Sequence, residues 1–250
     1  MATDLFRRFA ALHVPGDPLV LFNVWDAGSA QAVAKSGARA IATGSASVSM
    51  ANGFGDGQQL PMEFALANAG RIIDAVDVPV TVDFEGAYSA DPDEGAHNLA
   101  RLAEIGAVGC NFEDQIVGGE GLHPISVQAE RIAAARQAVG PDFFINVRTD
   151  LFLKAPQDTH DEAMLDEAIA RVQAYAEAGA SGFFVPMLGN LGLLARMCAK
   201  SPIPVNFMTF PGCPSNADVA ATGVARISHG PFPYMALMGQ LEVSARAALA

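Results

Sequence analysis

Positive charge is scarce in this chain: 15 lysines and arginines stand against 27 aspartates and glutamates in 250 residues, a formal net charge of −12. Such a chain repels phosphate backbones and anionic headgroups, which argues against nucleic acid or a membrane surface as a main partner. Cysteine is equally sparse. Cys110, Cys198 and Cys213 form neither a disulfide framework nor a CxxC metal site, so a reducing cytoplasm is the expected compartment. No charge-free run of about 20 apolar residues occurs, and the first 18 residues contain no signal-peptide core, so a soluble protein without a membrane span is expected. The glycines of the chain form no G-x-G-x-x-G between a strand and a helix, which removes the nucleotide fingerprint. What the chain does have is apolar material, 51 % against 17 % charged, enough for a large buried core.

That apolar material is arranged in a repeating order. Eight short β-branched or aromatic runs, at 19–24, 39–44, 78–85, 107–113, 143–149, 182–186, 203–208 and 224–228, read as strands buried on both faces. A short amphipathic helix over 4–12 precedes them. Helix-like stretches follow them near 27–36, 61–75, 92–105, 126–139, 161–178, 190–199, 215–222 and 233–249. Asp26, Pro61 and Asp91-Pro92 mark helix starts, and Gly37-Ala38, Gly106-Ala107 and Gly179-Ala180 mark ends. Eight strand–helix alternations with no linker or change of composition predict one (β/α)₈ barrel domain over residues 1–250, of the α/β class.

The polar residues fall on one side of this pattern. Asp56, Asp83, Glu85, Glu113, Asp114, Arg148, Asp150 and Asn206 lie at or just after the C-terminal ends of strands, the face where barrels of this kind carry their chemistry. Asp83 and Glu85 close one strand two residues apart, and Glu113 and Asp114 close the next. Several carboxylates gathered dry and unpaired repel strongly. A hard divalent cation that keeps some of its waters, Mg²⁺ above all, is the simplest counter-charge, against the plainer reading of a salt-bridge network to arginines.

Four stretches, VDFEGAY, NFEDQ, NVRTD, and IATGSASVS with GFGD after it, occur in this order on the third, fourth, fifth and second strands. They resemble the motifs of the isocitrate lyase/phosphoenolpyruvate mutase superfamily, over essentially the whole chain and with a phosphonomutase-like member as the nearest type. The resemblance implies a Mg²⁺ enzyme, with Mn²⁺ an alternative ion, acting on small 2-oxo or 2-hydroxy dicarboxylic acids through a pyruvate-like enolate. It implies Asp83 as the direct metal ligand, with Glu85 and Glu113 holding metal-bound waters. Arg148 becomes the grip for a carboxylate or phosphonate, and Asp56 orients waters near the ion. The backbone N–H groups of Gly44, Ser45 and Ala46 become the cradle for the substrate carboxylate. Trp25 and Asn206 are expected to line the substrate pocket. A homotetramer, with the apolar last helix exchanged between subunits, is the implied assembly.

The chain also departs from the family pattern. The loop after the fourth strand reads DQIVGGEGLHPIS, with neither the cysteine nor the lysine of the lyases that cleave isocitrate or methylisocitrate. His123 is the titrating group left there, expected either as an acid–base group or as a solvent-exposed loop residue. Met187 stands where those lyases carry a glutamate. Three readings follow: a Mg²⁺-dependent C–C lyase or decarboxylase, a P–C bond enzyme of the mutase or phosphonopyruvate hydrolase type, and a non-catalytic keto-acid binder.

Overall fold

A computed structural model describes residues 2–250. Its strands are β1 Leu19–Leu21, β2 Ile41–Ala42, β3 Val80–Asp83, β4 Gly109–Glu113, β5 Phe144–Arg148, β6 Gly182–Phe184, β7 Val205–Met208 and β8 Arg226–Ser228. Each lies inside one of the eight apolar runs. They pair in parallel in the order β1-β8-β7-β6-β5-β4-β3-β2. A parallel bridge from Val24 to Thr43 joins the two remaining edges, β1 and β2. The architecture is the (β/α)₈ barrel that the alternation predicts.

The helices are α1 Ala2–Ala11, α2 Ala27–Lys35, α3 Ser45–Ala51, α4 Met62–Asp74, α5 Pro92–Glu104, α6 Ile125–Val139, α7 Glu162–Glu177, α8 Leu191–Lys200, α9 Asn216–Ala221 and α10 Phe232–Leu249. Their starts are built as the sequence suggests. The Asp26 carboxylate accepts from Ser29 N–H at 2.7 Å, and Asp91 accepts from Asp93 and Glu94 N–H at 3.0 and 2.9 Å. α3 falls where the sequence reads as a turn. Its run SASVSMA has no apolar stripe to announce a helix, and it forms where the chain turns back over the barrel rim.

Two cores result. Between barrel and helices, strand residues such as Val82, Phe112, Val147 and Phe207 meet Ile72, Leu99, Leu102, Ile132 and Val172, all within the large buried cluster. A second cluster, with Phe9, Leu19, Leu21, Ala42 and Phe144, plugs the far end of the barrel. There Phe9 of α1 meets the Phe144 ring edge-on at 5.4 Å, and His13 stacks on the same ring at 4.3 Å. Burial pushes the His13 imidazole down to about 3, so it packs as a neutral ring. Room for Phe144 depends on glycine in the neighbouring strands. A Cβ at Gly109 would stand 2.5 Å from the Phe144 carbonyl oxygen, and one at Gly182 would stand 2.9 Å from its ring. With that end closed, the opposite rim is left for chemistry.

Candidate active site at the C-terminal rim of the barrel

Asp83, the last residue of β3, faces the rim. Its Oδ2 accepts from the Ser45 N–H at 3.0 Å and from the Ser45 hydroxyl at 2.7 Å, and its Oδ1 accepts from Asn111 Nδ2 at 3.2 Å. The Ser45 contact exists because α3 starts at that residue. Among the first N–H groups of a helix, which lack intrahelical acceptors, this one is spent on the carboxylate. Asn111 is itself fixed, because its Oδ1 accepts from Asn146 Nδ2 at 2.8 Å and from Arg226 Nη2 at 3.3 Å. Asn111, Asn146, Asn206 and Arg226 together make a polar floor inside the barrel, where bulky aliphatic side chains are the rule.

Behind Asp83 the chain enters a left-handed turn. Glu85, Ala87 and Tyr88 have φ of +52°, +58° and +58°, a region that costs side-chain-bearing residues about a kcal/mol or more each. The turn is held from outside. Glu85 Oε1 accepts from the Gly57 and Gln58 N–H groups at 3.0 and 2.8 Å, and Gln58 Oε1 accepts from Tyr88 N–H at 2.6 Å. Arg131 of α6 donates to the Gly86 and Ser89 carbonyls at 2.7 and 2.8 Å. Burial, with the charges of Asp83 and Asp56 adding to it, pushes the Glu85 carboxyl up to about 7, against the backbone donors that favour its charged form. Asp56, in the loop that supplies those donors, is also raised, first by burial and then by Asp83.

The arginines of the rim are already engaged. Arg148 donates to Asp150 through Nε at 2.5 Å and Nη2 at 3.0 Å, and its Nη1 lies 3.1 Å from Glu113 Oε2. Glu113 also accepts from Gln115 Nε2 at 2.7 Å. Its burial raises the carboxyl, and the neighbouring guanidinium pulls the other way. Asp114 points away from the rim. It is fully buried with Arg171 at 3.0 Å and Tyr175 at 3.1 Å, and its Oδ1 takes the Asp150 N–H. The salt-bridge reading of the sequence therefore describes Glu113, Asp114 and Asp150. It does not describe Asp56, Asp83 or Glu85, for which no lysine or arginine lies in salt-bridge contact among the described residues.

These groups surround a cavity of about 150 Å³ at the barrel mouth. Of the residues singled out from sequence, Gly44, Ser45, Ala46, Asp56, Asp83 and Arg148 line it. Trp25, Asn206, Glu85, Glu113 and His123 do not. Trp25 packs edge-on against Tyr234 at 5.2 Å, and its carbonyl takes the Asn68 side chain. Asn206 is committed to the floor, donating to the Phe207 carbonyl and to the Ser228 hydroxyl. His123 lies in a neighbouring cavity with Gln58, Gln115 and Arg131. Sequence reading missed Asn23 and Asn111 on the polar side and Leu153, Phe184, Pro186 and Met208 on the other. The signal for Asn111 was present: it and Asn146 are amide residues inside apolar runs, and they pair in register across β4 and β5.

The donor set fits a hard divalent ion. Asp83 offers an oriented carboxylate to the cavity, Asp56 faces the same space, and neither these acids nor Glu85 has a lysine or arginine in salt-bridge contact among the described residues. Among the described residues, no three His, Cys, Asp or Glu side chains converge as direct ligands of one ion. An ion held here would have few carboxylate ligands and would keep several waters, which suits Mg²⁺.

The family model described as phosphoenolpyruvate phosphomutase matches residues 9–249. The chain belongs to that family. Its fold superposes on the crystal structure of a candidate phosphonomutase from Burkholderia cenocepacia J2315 with a TM-score of 0.96 and 47 % identity, covering 99 % of this chain and 100 % of that one. An uncharacterised Mycobacterium tuberculosis protein is 36 % identical over 96 % of this chain and 88 % of its own length. The phosphoenolpyruvate phosphomutase of Streptomyces hygroscopicus is 31 % identical over 86 % of this chain and 70 % of its own. The isocitrate lyase/phosphoenolpyruvate mutase superfamily thus includes lyases, the Escherichia coli 2-methylisocitrate lyase among them, as well as P–C bond enzymes.

Proposed function

We propose that this family member is a divalent-metal-dependent carbon–carbon lyase of the decarboxylase kind, acting on a 2-oxo acid that carries a second carboxylate on C3. One observation carries the choice. Asp56, Asp83 and Arg148 are the charged residues lining the cavity, and no His, Cys, Lys or Tyr lines it among the described residues. Decarboxylation suits that inventory. The bond from C3 to its carboxylate carbon breaks, CO₂ leaves, and the electron pair stays as the enolate of C2 and C3. C3 then takes a proton from water. The protein supplies no proton to the leaving group. An aldol-type cleavage needs both a base for the hydroxyl and an acid for the departing carbanion, and Asp56 alone would have to serve as both.

Asp83 would hold the ion directly, with Glu85 and Glu113 acting through waters. Mg²⁺, or Mn²⁺ in its place, supplies Lewis-acid stabilisation of the enolate oxygen when bound. Ser45 and Asn111 keep the Asp83 carboxylate in one orientation. Arg148 is itself held by Asp150 and Glu113, and it retains two N–H groups for the leaving carboxylate. Gly44, Ser45 and Ala46 shape the wall that receives C1.

A second reading is supported by the likeness to the Streptomyces hygroscopicus phosphomutase: P–C chemistry, with Arg148 on a phosphonate. Pyruvate release from oxaloacetate with Mg²⁺, abolished in Asp83→Ala, is the expected result. Turnover of phosphonopyruvate by phosphorus NMR, with oxaloacetate untouched, would establish the second reading instead. Tight oxalate binding with no turnover of either would leave a keto-acid binder.

A further inference from the structure

The cavity has two chemically different halves. Going round the barrel, β1 to β5 bring Asn23, Ser45, Asp56, Asp83, Asn111 and Arg148 to its wall. The other arc is mostly apolar, with Ser228 of β8 its one polar side chain. Leu153 follows β5, Phe184 ends β6, Pro186 lies just beyond it, Met208 ends β7 and Pro231 follows β8. The strands that carry them are neighbours in the sheet, so the five side chains share one side of the cavity. Leu153 stands at the mouth, 40 % exposed. Met208 contributes a flexible thioether that adapts to what it covers.

Charge points the same way. The cavity's one cation, Arg148, is taken up by Glu113, Asp150 and the leaving carboxylate of the substrate, so a further anionic group at the C3 substituent would enter without a counter-charge. We infer that the substrate is a 2-oxo acid whose C3 carries an unbranched or branched alkyl substituent, and that Leu153, Phe184, Pro186, Met208 and Pro231 select it. This inference rests on the 2-oxo-acid reading of the polar half. After CO₂ loss the product is a longer 2-oxo acid, so the product series reads the same contacts.

The test is calorimetry with the full chain and Mn²⁺, using oxalate as a probe of the polar half alone. Pyruvate, 2-oxobutanoate, 2-oxopentanoate and 2-oxohexanoate then probe the apolar arc. Affinity is expected to rise about fourfold per methylene, the factor that corresponds to ~0.8 kcal/mol per buried CH₂. 2-Oxopentanoate is expected to bind at least about tenfold more tightly than 2-oxoglutarate, which has the same chain length with a charged end. Leu153→Gln, on the exposed rim where folding is not at stake, and Met208→Asn should each flatten the series. Oxalate binding with a flat or falling series, or with 2-oxoglutarate the tighter ligand, overturns the inference and leaves the polar half standing. Failure of oxalate itself to bind overturns the 2-oxo-acid reading, and this inference with it.

Discussion

Glu85 is the residue whose environment makes the sharpest demand. It is 3 % exposed, sits at a positive φ, and has its carboxyl pushed up to about 7 from an ordinary 4.5. Between those two values the unfolded chain has released this proton and the native chain still holds it. Its contribution to stability is therefore complete below about pH 4.5 and is lost as pH rises toward 7, by on the order of 3 kcal/mol. Glu113 is raised as well, and adds to the same slope. Thermal melts of the metal-free protein between pH 4.5 and 7 should show this decline, and Glu85→Gln should remove a large part of it. Parallel curves for the two proteins would mean that Glu85 is ionised throughout. A divalent ion favours the charged carboxylates, so saturating Mg²⁺ should flatten the wild-type curve. The acids themselves were legible in the sequence because they end apolar runs abruptly. Which of them lacks a cation was not, because Arg148 and Arg171 come to Glu113 and Asp114 from 35 and 57 residues away.

Among the elements, the connection between β4 and α6 lines the cavity beside the site. Its base is tied by Asp114, whose backbone carbonyl takes the His123 N–H at 2.7 Å, while Arg171 of α7 reaches both the Asp114 carboxylate and the His123 carbonyl. A bridge between Gln115 and Leu122 closes the loop above this knot, with Gly118 and Gly121 at positive φ within it. Arg171→Met would leave the Asp114 charge buried without its partner. The expected cost is about 3–5 kcal/mol, read as a lower denaturant midpoint at unchanged slope. Arg171→Met with Asp114→Asn should recover part of that loss, since no isolated charge then remains. A double variant no more stable than the single one would show that the arginine acts through the His123 carbonyl alone. Strands and long helices were readable because their apolar periods are strong. α3 was not, because a run of serine and alanine packs through its position over the rim and not through a stripe of its own.

The whole chain leaves one large surface unexplained by its own packing. α10 is largely apolar, with Gln240, Glu242, Ser244 and Arg246 its polar residues, yet Met235, Leu237, Leu241 and Val243 are 50–62 % exposed, and Pro233 is its one buried residue. So much apolar surface on an isolated chain marks an interface. We propose that a second copy of the chain covers it, within the homotetramer that the family resemblance implies. Light scattering on the eluting protein should give a mass near four chains. Leu241→Glu with Val243→Glu should shift it toward smaller species without unfolding the barrel, because both side chains lie outside either core. A wild-type monomer would refute the assembly. The rim makes the outcome matter for function too, since α10 begins directly after Pro231, the last residue of the apolar arc. If a neighbouring chain packs on α10, the double variant should loosen the longest 2-oxo acids more than pyruvate. If α10 is free in solution, the two should change alike.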